Sequence, residues 1–147
     1  MLREDLNRNY GFLLMDVSRL MRTVYDRRVR GMGLTRSQWW VLNFLFRHPG
    51  ATQTELAAVL EIERPTLGRL LDRLERKGWV RRVHDARDRR AWRVHLTKAA
   101  EPAMRKLRTR AAQLRKDALA GLSAAERERF VDTLLAIKAN LSRMSKE

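Results

Sequence analysis

The 147-residue chain carries 32 lysines and arginines against 17 acidic residues, a formal net charge of +15, which favours a polyanionic partner, either nucleic acid or an anionic membrane surface. It contains no cysteine, which excludes disulfides, cysteine nucleophiles and zinc fingers. No run approaches the eighteen apolar residues that span a membrane, and the N-terminus lacks the apolar core of a signal peptide, so we expect one cytoplasmic domain.

A long first helix is predicted from the spacing of apolar residues at the start of the chain. They recur every three or four positions and form one stripe, which comprises Leu6, Tyr10, Leu13, Val17, Leu20 and Val24. The segment Gly31–Gly33 is expected to end this helix, because glycine adopts the left-handed cap conformation without a steric cost.

Three shorter helices should follow. The capping boxes "TRSQ" and "TQTE" predict helices over about 35–47 and 52–60, with the turn His48–Gly50 between them. Another helix starts around "ERPT", where Pro65 suits a first turn that needs no donated hydrogen bond, and Gly78 ends it. Its core face consists of Leu67, Leu70, Leu71 and Leu74.

The hydrophobic period then changes to two. Trp92, Val94 and Leu96 alternate with Arg93, His95 and Thr97, so one face of this strand can pack while the other meets solvent. A less regular partner strand contains Trp79, Val80 and Val83. The pattern therefore predicts a small antiparallel hairpin.

Two more helices complete the chain. The first has Met104, Leu107, Ala111 and Leu114 on one face, and Pro102 predicts a distorted first turn. The capping box "SAAE" (Ser123–Glu126) opens the last helix, whose apolar residues are Phe130, Leu134, Ile137, Leu141 and Met144. The predicted fold is mainly α with one β-hairpin, in the order α-α-α-α-β-β-α-α.

Three short helices followed by a hairpin form the plan of a winged helix-turn-helix. In that plan the second helix of the turn enters a DNA major groove, and the hairpin reaches the backbone or the minor groove. The charge agrees with this reading, because residues 63–95 hold 11 basic and 5 acidic residues, a net charge of +6 in 33 residues.

The predicted recognition helix carries polar residues opposite its leucines. We assign Arg69 and Thr66 to base contacts, since arginine can donate two hydrogen bonds to a guanine, and Arg64 and Arg73 to phosphates. The start of the preceding helix, Gln53 and Thr54, can present donors to another phosphate.

The hairpin tip reads "DARDRR". A narrow minor groove attracts an inserted arginine, and the candidates are Arg87, Arg89 and, as first choice, Arg90. Asp85 or Asp88 is expected to pair with a neighbouring arginine and hold the tip in shape. The alternative is a charged tip that is merely solvated.

The segment "QTELAAVLEIERPTLGRLLDRLERKGWVRRVHDARDRRAWRVHLT" closely resembles the signature stretch of MarR-type transcriptional regulators, and flanking residues are most similar to the SlyA branch. The resemblance covers essentially the whole chain. It implies a homodimer that binds a pseudo-palindromic operator, with Arg69 in the major groove and Arg90 in the minor groove. It also implies a winged DNA-binding lobe over 34–97 and dimerisation helices over 1–33 and 98–147.

Regulators of this kind often bind small aromatic carboxylates or phenols, which weaken DNA binding. By resemblance, such an effector would lie between the dimer helices and the winged lobe. Its candidate contacts are Met15, Arg19, Arg22, Tyr25, Trp39, Trp40 and Asn43. The alternative is that these residues are core and salt-bridge residues, and Asp26 and Arg28 are expected to form ion pairs in the dimer or between the lobes.

Two other classes of protein differ from a regulator in what their sequences need. An enzyme is not expected, because no phosphate-binding glycine loop occurs and the histidines, His48, His84 and His95, lack a nucleophile or a metal-ligand spacing. We expect no metal and no cofactor. A sequence-indifferent nucleoid or RNA-binding protein would be equally basic, but it would not need outward side chains at the start of a recognition helix.

Overall fold

The computed structural model describes residues 5–147, and their elements follow the predicted order. The helices are α1 (Tyr10–Val29), α2 (Arg36–Arg47), α3 (Gln53–Leu60), α4 (Arg64–Arg76), α5 (Glu101–Ala118) and α6 (Ala124–Met144), and the strands are β1 (Val80–His84) and β2 (Trp92–Leu96). The fold class predicted from the sequence is confirmed. The chain forms two compact units, one that extends to Ala112 and one over Gln113–Glu147. The predicted division at 34 and 97 stays a prediction, and its residues 1–4 lie outside the described part.

The start of α1 differs from the prediction. The side chain of Asn9 accepts hydrogen bonds from the backbone N–H groups of Gly11 and Phe12, at 3.0 and 3.2 Å, so the helix begins at Tyr10. Leu6 was predicted to lie on the α1 stripe, but it belongs to a separate 3₁₀ turn, Leu6–Arg8. That prediction was wrong, because the apolar spacing does not reveal the cap at Asn9.

The predicted helix ends and caps are confirmed elsewhere. Thr35, Thr52 and Ser123 each accept a hydrogen bond from the backbone three residues on, and the side chain of that later residue reaches back. Gly33, at φ +68°, ends the 3₁₀ turn that follows α1. The four leucines predicted for α4 are buried, which fixes the rotation of this helix about its own axis.

The hairpin pairs Val80 with Leu96 at its base and His84 with Trp92 at its outer end. The predicted inward face is correct for Val94, which is fully buried. It is wrong for Trp92, which is 38% exposed, because its ring stacks on His84, with 3.7 Å between the ring centroids, at the outer end of the ribbon rather than on the core.

The last two helices differ in burial. A 3₁₀ turn, Lys98–Ala100, precedes α5, so the irregular geometry expected at Pro102 lies just before the helix, and the proline occupies its second position. Met104, Leu107 and Leu114 are buried. No residue of α6 is buried, and several of its large apolar side chains are exposed, namely Phe130, Val131, Leu135, Leu141 and Met144. Between residues 5 and 147, no helix has the length and apolarity required to cross a membrane.

Candidate nucleic-acid interface

Helix α4 exposes the polar side chains that its sequence predicted. The buried leucines turn the opposite side of the helix to solvent, and the side chains exposed there or at the helix start are Arg64, Thr66, Arg69 and Arg73. Arg69 Nη2 lies 3.4 Å from Thr66 Oγ1, one turn earlier, and donates a hydrogen bond to it. The two residues assigned to base contacts are therefore neighbours on one exposed surface.

The starts of α3 and α4 are also brought together. Arg64 Nη2 donates a hydrogen bond to Thr54 Oγ1 at 3.3 Å, although ten residues separate them in sequence. Thr54 is exposed and Gln53 is half-buried. The predicted phosphate contacts at the start of α3 thus adjoin Arg64, and this corner combines a guanidinium with backbone N–H groups at a helix N-terminus, a combination that favours an anion.

The tip of the hairpin, Asp85–Ala91, is organised around one carboxylate. Asp85 Oδ1 accepts hydrogen bonds from the backbone N–H groups of Arg87 and Asp88, at 2.7 and 3.1 Å, and its other oxygen pairs with the guanidinium of Arg93. The Arg87 N–H, the Arg93 guanidinium and the Asp88 N–H lower the pKa of Asp85 below its ordinary value. The prediction that an aspartate holds the tip in shape is confirmed.

Three arginines extend from this ordered turn. Asp88 Oδ1 accepts hydrogen bonds from the backbone N–H of Arg90 at 3.0 Å and from its Nε at 3.4 Å, while the Arg90 side chain is 93% exposed. The guanidinium groups of Arg87 and Arg89 make no hydrogen bond or ion pair with any other residue from 5 to 147. All three arginines predicted at the hairpin tip are therefore accessible to a phosphate or a groove.

The backbone between these arginines is fixed by a histidine. The carbonyl oxygen of Arg89 can only accept, so His84 Nδ1 carries a proton and donates to it at 2.8 Å. The same imidazole stacks on Trp92. The sequence alone does not assign this role to His84, because no local signal identifies a side-chain bond that crosses the turn.

Two contacts on the hairpin were missed from the sequence. Arg93 Nη1 donates to the carbonyl of Gly50 at 2.8 Å, and the backbone N–H of Val94 donates to Ala51 at 2.9 Å, so β2 is attached to the turn between α2 and α3. Gly50, at φ +76°, allows this close approach, because an added Cβ would lie 2.9 Å from the ring of His95.

The role of Arg82, on β1, was also missed from the sequence. Its guanidinium donates to Asp72 and Glu75 of α4. Partial burial lowers the pKa of Arg82, but the bonds to Glu75 and Asp72 outweigh it, and the net pKa lies above the ordinary value. The sequence places Arg82 on the same face of β1 as the buried Val80 and two carboxylates three positions apart on α4, but it does not indicate that these groups meet.

The predicted effector residues fall into two groups. Tyr25 is buried, donates to the carbonyl of Leu107 at 3.0 Å, accepts from Asn43 Nδ2 at 3.4 Å and meets the edge of Trp39. Arg22 lies over the ring of Trp40, 5.6 Å from its centroid, and also donates to Ser18. These five residues (Arg22, Tyr25, Trp39, Trp40 and Asn43) form one connected aromatic and polar group.

No hydrogen bond, ion pair or ring contact between described residues joins the other two predicted effector residues to that group. Met15 is 70% exposed, and Arg19 pairs with Asp16 at 3.7 Å on the surface of α1. Two open hollows lie elsewhere, one along α6 and one beside Asp72 and Arg82. Asp26 accepts from Trp39 Nε1 at 2.5 Å and pairs with Arg36 of α2, in keeping with the ion pair expected for it.

Comparison with known proteins places this arrangement among transcriptional regulators. The model of the MarR family matches residues 32–91, which contain α2, α3, α4 and the hairpin up to its tip. The crystal structure of transcriptional regulator PA3341 is 42% identical in sequence, with a TM-score of 0.80 over 92% of this chain and 99% of that one. Wild-type MarR from E. coli in its apo form is 26% identical, with a TM-score of 0.75 over 88% and 96% of the two chains. A MarR-family regulator from Silicibacter pomeroyi is also 26% identical, with a TM-score of 0.79 over 92% and 91%.

Proposed function

The chain belongs to the MarR family of winged-helix transcriptional regulators, and we propose that it acts as a repressor that binds a pseudo-palindromic DNA operator as a homodimer. Helix α4 enters the major groove, where Arg69 and Thr66 read base edges, and Arg90 of the hairpin tip enters the adjacent minor groove. Arg64, Arg73 and the start of α3 bind phosphates. Hereafter the hairpin Val80–Leu96 is called the wing.

The observation that carries this proposal is that α4 and the wing both have a fixed backbone and both expose arginine side chains. Exposed arginines extend from both elements, while buried leucines, a carboxylate-centred turn and contacts to Gly50 and Ala51 fix their backbones. A protein that bound polyanions without sequence preference would need the charge but not the fixed positions, because a diffuse field is sufficient for counterion release.

Exposed apolar side chains support the proposed dimer. On α1, Tyr10, Leu13, Val17 and Leu20 are between 45% and 70% exposed, and α6 buries none of its residues. Apolar stripes of this length on single helices favour burial against a second copy. A two-fold dimer would place its half-sites about one helical turn, roughly 10 base pairs, apart.

An aromatic acid or phenol is the proposed effector. The group around Tyr25, Trp39 and Trp40 offers stacking surfaces, and Arg22 over Trp40 supplies a cation for a carboxylate. Met15 and Arg19 are retained as outer contacts. Membership of the SlyA branch remains part of this proposal, as does the cytoplasmic location.

The test is selection of bound fragments from random DNA, repeated with a panel of aromatic acids. We expect a symmetrical sequence that is bound at least about a thousandfold more tightly than random duplex at the same salt concentration, and weaker binding with one class of acid. A ratio near unity would favour a sequence-indifferent nucleoid or RNA-binding protein. Light scattering that shows a single subunit in solution would contradict the dimer.

A further inference from the structure

The side chain of Arg82 crosses from the wing to the recognition helix. On β1, Val80, Arg82 and His84 share one face, and Arg81 belongs to the other. Arg82 Nη2 donates to Asp72 Oδ1 at 2.5 Å and to Glu75 Oε2 at 2.6 Å, and Nε donates to the same Glu75 oxygen at 2.9 Å. Its side chain is 22% exposed.

These bonds fix a direction as well as a distance. A guanidinium is planar and presents its donors in a rigid fork, so two carboxylates on successive turns of α4 can be met together only from a narrow range of positions. Asp72 and Glu75 occupy the flank of α4 between the buried leucines and the exposed surface that carries Arg69. The bonds therefore join the wing directly to the base-reading helix.

A phosphate contact is the other role that an arginine in a DNA-binding lobe could have. The surroundings of Arg82 oppose it, because three of its donor contacts already go to carboxylates, and the group of one cation and two carboxylates has a net charge of −1. A phosphate would be repelled by that group rather than attracted.

We infer that Arg82 is a positioning residue for operator recognition: with Asp72 and Glu75 it sets the distance and angle between the recognition helix and the wing, so that both reach their grooves on one half-site. The inference rests on the proposed operator binding. DNA grooves have fixed spacing, so a wing that moves relative to α4 loses the specific complex, whereas random duplex can be bound through either element alone.

Arg82→Met and Arg81→Met provide a matched pair, because both remove one positive charge from the same strand. We expect Arg82→Met to lower the operator affinity about tenfold, the size of one mismatched base pair, and to change the affinity for random duplex far less. Arg81→Met should lower both affinities slightly and equally. If Arg82→Met merely reduced the fraction of folded protein, it would lower the affinities for operator and random duplex by the same factor. Arg82→Lys, which keeps the positive charge but not the planar fork of donors, should recover part of the operator-to-random affinity ratio.

The double variant Asp72→Asn, Glu75→Gln separates the inference from simple electrostatics. It raises the net charge by two, so charge alone predicts tighter binding to every duplex. The proposed positioning role predicts tighter binding to random duplex and weaker binding to the operator. Equal tightening on both would overturn the inference, as would an operator-to-random ratio for Arg82→Met that matches that of Arg81→Met.

Hydrogen exchange in the free protein tests the same contact without DNA. Arg82→Met should speed the exchange of wing amides and leave those of α4 unchanged, whereas Arg81→Met should change neither. Unchanged exchange in Arg82→Met would overturn the inference whatever the DNA results. If the wild-type protein fails to discriminate its operator, the proposed function fails, and the exchange comparison still decides whether Arg82 holds the wing to α4.

Discussion

Helix α4 and the wing tip both present arginine side chains, but different interactions hold their backbones in position. In α4, the backbone hydrogen bonds of the helix and four buried leucines set the position of each arginine, and the side chains need few further bonds. In the tip, the ladder ends at His84 and Trp92, and the backbone beyond it is held by Asp85, Asp88 and His84. Changes to α4 should therefore act through its core or its contacts, and changes to the tip should act through its polar supports.

The largest expected effect concerns the core of α4. Leu71 is fully buried, and Leu71→Ala should lower the free energy of unfolding by about 2–5 kcal/mol, because the substitution leaves a cavity. Urea unfolding at fixed protein concentration measures this value, since the proposed dimer would make stability depend on concentration. Val59→Ala is the control, because Val59 is 41% exposed on α3. Equal losses in the two variants would contradict the view that buried leucines fix α4.

The second effect concerns base reading. Arg69→Ala should weaken operator binding by about 1–3 kcal/mol, the value of one bidentate bond to guanine, with little change for random duplex. Arg73→Ala, on the same helix, should weaken both by a similar factor, because a phosphate contact carries no sequence information. A competition binding assay with the two duplexes at one salt concentration measures both. If the two variants lose the same sequence preference, the assignment of Arg69 to bases is wrong.

The contrast between α4 and the wing also explains what could be predicted from the sequence. The α4 leucines and the capping boxes are local signals, with partners three or four residues apart, so those elements were predicted correctly. The supports of the wing join distant residues, such as Arg93 to Gly50 and Arg82 to Asp72. No periodicity encodes such pairs, so the arginines of the wing were predicted as a group while the roles of Arg82 and Arg93 were missed.

Trp92 and Leu6 show that local patterns can also place a residue wrongly. Alternation placed Trp92 on the packed face of β2. At the outer end of the hairpin, however, no core covers that face, and the ring of Trp92 packs against His84 instead. Spacing placed Leu6 on α1, but Asn9, three residues later, is the N-cap of that helix, so α1 begins only at Tyr10. The hydrophobic periodicity of a segment predicts which face a residue lies on. It does not predict where the helix begins or how far the core that covers that face extends.

The third effect concerns Arg90, whose side chain is 93% exposed at the tip. Arg90→Ala should weaken binding to operator and random duplex by similar factors and reduce the slope of log affinity against log salt concentration by about 0.9 for each phosphate that Arg90 neutralises in the wild type. Measurement of binding at several salt concentrations gives this slope. Arg81→Ala removes the same charge from the outer face of β1 and should change the slope less. An unchanged slope in Arg90→Ala would remove Arg90 from the interface.

The smallest effect is expected for Asp85→Asn, because two consequences oppose each other. The change removes one negative charge, which favours binding to every duplex, but it also removes the carboxylate that pairs with Arg93 and accepts hydrogen bonds from two backbone N–H groups of the turn. We expect a net loss of operator affinity, with Glu63→Gln as control, because Glu63 is exposed at the start of α4, its side chain caps no backbone N–H group, and the substitution changes the net charge by the same amount. Tighter binding of Asp85→Asn to both duplexes would show that charge outweighs the shape of the tip.

The pH dependence of this contribution follows from the lowered pKa of Asp85. A carboxyl whose pKa is lower in the folded protein than in the unfolded chain stabilises the fold above the ordinary value of 3.8, and this stabilisation is lost as the pH falls through the folded-state pKa. The difference in unfolding free energy between wild type and Asp85→Asn should therefore be constant from neutral to alkaline pH and should shrink only in acid. A difference that changed near neutral pH would contradict the assignment of this stabilisation to Asp85.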